Sequence, residues 1–65
     1  MKVRDVLRRL AADGWYFVRQ KGSHRQLQHA SKPGTVTVAG KGGEELHPKT
    51  LASVWRQAGF DDEGD

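Results

Sequence analysis

Cysteine is absent from this chain of 65 residues, and so is any long apolar run. Without cysteine, neither disulfide bonds nor a cysteine-based zinc site can hold so short a domain together, so a small apolar core must do so. No stretch approaches the roughly 18 apolar residues that a membrane span needs, and residues 1–5 lack the apolar character of a signal peptide. We therefore expect a single cytoplasmic domain with no membrane segment.

Acidic residues are scarce over most of the chain, although the formal net charge is only +3. Four of the 8 acids lie in residues 61–65, so residues 1–60 hold 11 Lys and Arg against 4 acids, a net charge of +7. Dense positive charge attracts polyanions, which favours nucleic acid as a partner, although a surface that merely keeps the protein soluble explains the charge equally well. We expect a folded domain over residues 1–60 and a disordered acidic tail over residues 61–65, because the tail has nothing to bury.

Two segments show the apolar period of an amphipathic helix. The first covers residues 3–13 and is followed by Gly14, which suits a left-handed C-terminal cap. The second covers residues 48–58, begins with a proline that favours the first helical turn, and has His47 near its N-cap. The sequence therefore predicts one helix near each end of the domain.

Three segments between these helices are typical of β-strands. Residues 15–21 are rich in aromatic and branched side chains and are bounded by glycine. Residues 24–29 can return after a tight turn at Gly22 and Ser23. Residues 35–38 alternate polar and apolar side chains. The predicted fold is α+β, an α-β-β-β-α two-layer sandwich with both helices on one face of a three-stranded antiparallel sheet, the layout of double-stranded RNA-binding domains.

His24 is the candidate catalytic residue. Because side chains alternate along a strand, an inward Leu27 places His24 on the outer face, where a substrate can reach it. The surroundings are basic, with Lys21 before the turn, Arg25 next to His24 in sequence and Arg19 on the facing strand. We expect these three cations to hold an RNA backbone.

An imidazole can supply both proton transfers that RNA transesterification needs. The 2′-hydroxyl must lose a proton and the leaving 5′-oxygen must gain one, and histidine exchanges protons near neutral pH. Neighbouring cations can stabilise the negative charge that develops on phosphorus, so the reaction needs no metal. From its spacing alone, however, His24 fits a solvated histidine beside a turn better than a catalytic residue, because small domains often expose a lone histidine.

A series of short motifs extends along the chain. They are Gly14-Trp15, Arg19, Gly22-Ser23-His24, His29, Lys32-Pro33-Gly34, Val36-Thr37-Val38, Thr50-Leu51 and Gln57-Ala58-Gly59-Phe60. In order and size this pattern resembles the HicA (YcfA-like) toxin family over residues 1–60. The resemblance implies a fold similar to a double-stranded RNA-binding domain, messenger-RNA interferase activity, and catalysis by the histidine of the Gly-Ser-His motif, which is His24. It also implies a HicB-like antitoxin that covers the active surface.

The chain departs from the family pattern in two places. Family members often follow Gly-Ser-His with another histidine or an aromatic residue, where this chain has Arg25 and Gln26, so its cleavage preference can differ. Residues 40–45 are richer in glycine and acid than the compact basic stretch expected there. Although this loop could offer N–H groups to a phosphate, its two glutamates favour a flexible connector. We include Lys41 of this loop among the expected RNA contacts.

No metal or other cofactor is expected. His24 and His29 are five positions apart and face opposite sides of a strand, and His47 is distant in sequence. Ser23 is interpreted as a turn residue rather than a nucleophile, because no aspartate lies nearby to orient the imidazole.

Three hypotheses therefore compete. The first is a metal-independent endoribonuclease toxin that uses His24. The second is a basic module that binds RNA or DNA through phosphates without cutting it. The third is an interaction domain whose exposed sheet face binds protein, which a steep salt dependence of RNA affinity would contradict.

Overall fold

A computed structural model describes residues 1–60 and contains two helices and one three-stranded sheet. The elements are α1 (Val3–Ala12), β1 (Trp15–Lys21), β2 (His24–His29), β3 (Val36–Ala39) and α2 (Pro48–Gln57). The predicted α+β class and α-β-β-β-α order are confirmed. Within residues 1–60, neither helix has the length and apolar character to cross a membrane. The expected disorder of the acidic tail concerns residues that lie outside the described range.

The predicted element boundaries agree with the structure except at four ends. Each helix stops one residue earlier than predicted, and β3 begins and ends one residue later. The shift of β3 follows from its pairing with β2, since Val36 opposite Leu27 and Ala39 opposite His24 are its outermost pairs. The prediction that Thr35 begins this strand was wrong, because Thr35 lies beyond the last paired residue.

The central strand β2 is antiparallel to both of its neighbours. Successive residues of β2 point to opposite faces of the sheet, and a residue paired with one of them on β1 or β3 points to the same face. The pairing therefore shows on which face each paired residue of β1 and β3 lies. Leu27 and its partners face the helices, whereas His24 and its partners face away from them. In β1 the register shifts between Phe17 and Arg19, where a bulge inserts an extra residue.

Both helices pack on one face of the sheet, as predicted. A single buried cluster joins α1, α2 and the helix-facing side of all three strands: Val3, Val6, Leu10, Trp15, Leu27, Val36, Val38, Val54, Trp55 and Ala58. The two tryptophans of the chain, Trp15 and Trp55, both belong to this cluster. Burial of these side chains provides the main driving force for folding in a chain without disulfides.

The loop between β3 and α2 caps the start of α1. The backbone N–H of Val3 donates to the carbonyl of Glu44 at 2.9 Å, and that of Arg4 to the carbonyl of Gly42 at 3.0 Å. First-turn N–H groups have no partner within their own helix, so the loop satisfies them. The loop lacks regular structure, as expected of a connector, but it is hydrogen-bonded to the body of the domain rather than free of it.

The opposite end of the sheet is held together around His29. Its Nδ1 accepts hydrogen bonds from the backbone N–H groups of Ser31 and Lys32, so its Nε2 carries the proton and donates to the carbonyl of Asp13 at 2.6 Å. The His29 ring also packs edge-on against the ring of Trp15, with centroids 5.2 Å apart. His29 therefore joins the end of α1 to the loop after β2.

Candidate functional site

The sheet face turned away from the helices, which we term the open face, carries the candidate catalytic residue. Its side chains come from all three strands: Tyr16, Arg19 and Lys21 of β1, His24, Gln26 and Gln28 of β2, and Thr37 and Ala39 of β3. The buried apolar side chains of the strands all belong to the other face. The open face is therefore available to solvent or to a ligand.

His24 begins the central strand, directly after the turn, and its side chain is exposed. It lies between Lys21 of β1 and Ala39 of β3 in one row across the sheet. Side chains opposite one another on neighbouring strands have Cβ atoms about 5 Å apart, so the Lys21 ammonium can reach a group that is bound at the imidazole. On the other side the small Ala39 side chain leaves space for a substrate.

The turn that presents His24 is formed by Gly22 and Ser23, as predicted. Gly22 has a φ of 61°, a left-handed conformation that glycine adopts without steric cost. The carbonyl of Ser23 accepts a hydrogen bond from the backbone N–H of Gly40 at 3.1 Å, and the side chain of Gln20 donates to the carbonyl of Gly22 at 2.9 Å. The first bond connects the turn to the start of the β3–α2 loop, and the second lies within the hairpin itself.

A second polar row crosses the open face next to that of His24. It consists of Arg19, Gln26 and Thr37, one from each strand. Arg19 and Thr37 are exposed and Gln26 is half-buried. The row therefore adds a second cation and two hydrogen-bonding side chains beside the imidazole.

Arg25, expected to contact RNA beside His24, lies on the other face of the sheet. It pairs with Val38, whose side chain is in the core. Its guanidinium donates a hydrogen bond to the carbonyl of Gly40 at 2.6 Å. The structure thus separates Arg25 from His24 and shows it linking β2 to the loop after β3.

Lys41, the other expected RNA contact outside β1 and β2, lies in that loop and is exposed. Its backbone N–H donates to the Glu44 carboxylate at 2.6 Å. Because the preceding Gly40 is hydrogen-bonded to Ser23, Lys41 lies at the same end of the sheet as His24. It is not paired in the sheet and so belongs to none of the rows of the open face.

No carboxylate belongs to the open face over residues 1–60. The four acids in this range are in or directly after α1, or in the β3–α2 loop: Asp5, Asp13, Glu44 and Glu45. Arg19 and Lys21 therefore give the face a positive charge that no acid on the same face offsets, which favours an anionic ligand.

The other two histidines have structural partners. His29 lies on the helix-facing side, as the odd spacing from His24 predicted, and binds backbone groups through both ring nitrogens. His47 is the N-cap of α2, also as predicted, and its Nδ1 accepts a hydrogen bond from the backbone N–H of Lys49 at 3.1 Å. Of the three histidines, His24 is the one on the open face.

Tyr16 and Thr37 belong to the open face but are not among the site residues that the sequence predicts. Strict alternation backward from Lys21 would place Phe17 and Trp15 on the open face, whereas the bulge in β1 places Tyr16 there instead. Thr37 could have been found, because it alternates with two valines whose apolar side chains belong in the core. The bulge has no comparable signal in the residues of β1.

Comparison with known families gives a match over most of the chain. The family model described as the HicA toxin of bacterial toxin–antitoxin systems matches residues 3–60. The match includes all five elements of the fold and every residue of the open face. Among curated proteins, none matches the chain.

Proposed function

Because this chain belongs to the HicA toxin family, and is thus the toxin of a bacterial toxin–antitoxin system, we propose that it is a metal-independent endoribonuclease that cleaves messenger RNA, with His24 as its catalytic residue. The observation that carries the proposal is the position of His24, exposed at the start of the central strand on a cationic face and directly opposite Lys21. A messenger-RNA substrate places the protein in the cytoplasm.

The reaction that suits this arrangement is transesterification within the RNA chain. The His24 imidazole removes the proton of a 2′-hydroxyl, whose oxygen then bonds to the adjacent phosphorus while the bond from phosphorus to the 5′-oxygen breaks. The imidazolium formed in this way returns its proton to the leaving 5′-oxygen. The products are a 2′,3′-cyclic phosphate and a free 5′-hydroxyl.

Lys21 and Arg19 supply charge rather than protons in this mechanism. The Lys21 ammonium is close enough to the imidazole to stabilise the additional negative charge on the phosphorane, and Arg19 holds a neighbouring phosphate. Lys41 extends the cationic surface beyond the turn. Arg25 contributes indirectly, by holding the loop that carries Lys41 through its bond to the carbonyl of Gly40.

A toxin of this class is paired with an antitoxin, and we propose a HicB-like protein that covers the open face. Such a cover would exclude RNA from His24 and from both cations at once. Carboxylates on the antitoxin would complement Arg19 and Lys21, since this face has no acid of its own within residues 1–60. Inhibition therefore requires no change in the toxin's fold.

The first test is cleavage of a labelled messenger RNA in excess EDTA by the wild type and by His24→Ala. Loss of acid–base catalysis is expected to slow cleavage by about 100- to 10,000-fold. The matched control is His47→Asn, which removes a different exposed histidine but retains an N-cap acceptor, and it is expected to cleave like the wild type. A 2′-deoxy substitution at the cleavage site should block the reaction, because the nucleophile is then missing.

Two results would contradict the proposal. Equal cleavage by the wild type and His24→Ala would remove His24 from the mechanism. RNA binding without cleavage by the wild type would favour the alternative of a basic nucleic-acid-binding module.

A further inference from the structure

Tyr16 is an aromatic side chain on the open face, and its cross-strand neighbours on β2 are polar. It is 52% exposed, and its partner on β2 is Gln28, which is also exposed. The next row on the same face consists of Arg19, Gln26 and Thr37. The helices cover the other face, so the ring does not serve the hydrophobic core.

The bulge in β1 places this ring on the face of His24. Tyr16 pairs with Gln28 and Arg19 pairs with Gln26, so both lie on the open face. Residues three positions apart in a regular strand point to opposite faces. The register shift between Tyr16 and Arg19 is what brings them to the same face. The preceding Trp15 then enters the core, where it is 3% exposed. A regular strand could not direct Trp15 inward and keep Tyr16, Arg19 and Lys21 on one outer face.

We propose that Tyr16 is a stacking site for an unpaired base of single-stranded RNA, in the same strand that His24 cleaves; this inference rests on the proposed function. Aromatic side chains on an exposed sheet face stack unpaired bases in several RNA-binding modules, and cations beside them hold the backbone. The amides of Gln26 and Gln28 lie next to the ring and can donate to and accept from base edges.

The distance between Tyr16 and His24 suits a single RNA strand. Gln28, the partner of Tyr16, is four residues from His24 along β2, which corresponds to about 13 Å at the usual rise of a strand. A short run of nucleotides spans this distance, and Lys21 and Arg19 lie along the way. Paired bases are stacked on each other within a duplex, so a ring on this face recognises single strands.

The test measures the affinity of a short fluorescent single-stranded RNA for His24→Ala protein, which binds without cutting. Adding Tyr16→Leu is expected to weaken binding by about 5-fold to about 150-fold, the range for loss of one base–aromatic stack. Tyr16→Phe retains the ring and is expected to recover most of the lost affinity. Phe17→Leu is the matched control, because Phe17 is 56% exposed on the same strand but faces the other side of the sheet.

A set of RNAs that each lack one base then locates the contact. In one RNA of this set, the missing base is expected to weaken binding to His24→Ala protein that retains Tyr16. The same RNA is expected to bind the Tyr16→Leu variant about as well as intact RNA does, since that variant has already lost the stack. Unchanged affinity of Tyr16→Leu would overturn the proposal, as would an equal loss in Phe17→Leu. Loss of antitoxin binding with full RNA affinity would assign the ring to the protein partner instead.

The stacking site and the proposed function fail in different ways. If the wild type cleaves RNA while Tyr16→Leu binds with full affinity, the stacking site is wrong and the endoribonuclease stands. If the protein binds RNA through Tyr16 but the wild type does not cleave it, the stacking site stands and the proposed activity is wrong. Absence of any RNA binding would overturn both.

Discussion

At the scale of single residues, Asp13 shows how one side chain connects three parts of the fold. Its carboxylate accepts hydrogen bonds from the Lys32 ammonium at 2.6 Å and from the Trp15 indole at 3.2 Å. Lys32 also donates to the carbonyl of Ala58 after α2, at 3.1 Å. The hydrogen bond from Lys32 is the main reason that the pKa of Asp13 lies below its ordinary value, and partial burial opposes that effect only in part.

This lowered pKa predicts a specific loss of stability in acid. The unfolded chain has the ordinary aspartate pKa of about 3.9, so the contribution of Asp13 to the free energy of unfolding is complete above that pH and is lost as the pH falls through the lower pKa of the folded state. Asp13→Asn is therefore expected to lower the urea midpoint at neutral pH, and its difference from the wild type is expected to shrink below about pH 4.

The control for this prediction is Asp5→Asn. Asp5 makes an exposed ion pair with Arg8 at 3.6 Å, and a pair of this kind contributes little to stability. Its substitution is expected to shift the urea midpoint only slightly at any pH. If the difference in urea midpoint between Asp13→Asn and the wild type stayed constant into strong acid, the ionised carboxylate of Asp13 would not be the source of its stabilising effect.

At the scale of elements, the connection from α1 to β1 depends on Gly14. This residue has a φ of 102°, and a Cβ atom there would lie 2.7 Å from Nε2 of His29. The imidazole cannot move aside without breaking its bonds to Asp13, Ser31 and Lys32. The chain therefore requires glycine here both for the backbone conformation and for the close packing of the histidine.

Gly14→Ala is expected to destabilise the protein by about 3 kcal/mol or more, measured by urea unfolding, since it adds a steric conflict to backbone strain. Gly22→Ala is the control. Gly22 also has a positive φ, 61°, but a Cβ atom there would meet nothing within 4 Å, so it is expected to lose only about 1 kcal/mol. Equal losses in the two variants would mean that the packing of His29 against Gly14 contributes nothing.

At the scale of the whole molecule, both helices, two strands and the loops all carry positive charge, but only part of it faces the site. Residues 1–60 have a net charge of +7, yet Arg19 and Lys21 are the only Lys or Arg residues in the rows of the open face within this range. Long-range attraction of RNA depends on the total charge, whereas counterion release depends on the cations that contact phosphate. Variants that have the same net charge but lose cations from different surfaces therefore separate the effect of long-range attraction on RNA binding from that of phosphate contacts.

The double variant Arg19→Gln/Lys21→Gln, made in His24→Ala protein, is expected to reduce the slope of log affinity against log salt by about 1.4, since each phosphate contact with a single strand contributes about 0.7. Lys49→Gln/Arg56→Gln removes the same charge from the exposed side of α2 and is expected to leave the slope nearly unchanged. Equal slopes for the two double variants would show that RNA does not bind on the open face.

The family motifs divide between the two ends of the molecule. Gly22, Ser23 and His24 form the exposed end of the β1–β2 hairpin, next to the cations. Most of the other motif residues build the opposite end, where His29, Lys32 and Phe60 meet the end of α1 and the core. Much of the resemblance therefore reflects how the fold is held together, and a small part of it concerns the proposed reaction.

The order of elements and most of their boundaries could be predicted because they depend on local signals. Apolar periodicity located both helices, and the alternation of Leu27 with its neighbours placed His24 outward and His29 inward. The N-cap at His47 followed from the proline after it. Arg25 was less predictable, because its closeness to His24 in the sequence suggested a shared role, whereas alternation along β2 puts the two side chains on opposite faces.

Residue types and their spacing along the chain are therefore enough to predict the fold class, the family and the outward direction of His24. Which side chains accompany His24 depends instead on the register between strands, and this follows only from the folded arrangement. The bulge in β1 exchanges the faces of the residues before it, taking Trp15 into the core and leaving Tyr16 in line with Arg19 and Lys21. Local residue preferences do not encode such a shift, since it arises where the burial of Trp15 in the core and the pairing of the hairpin with its turn must both be satisfied.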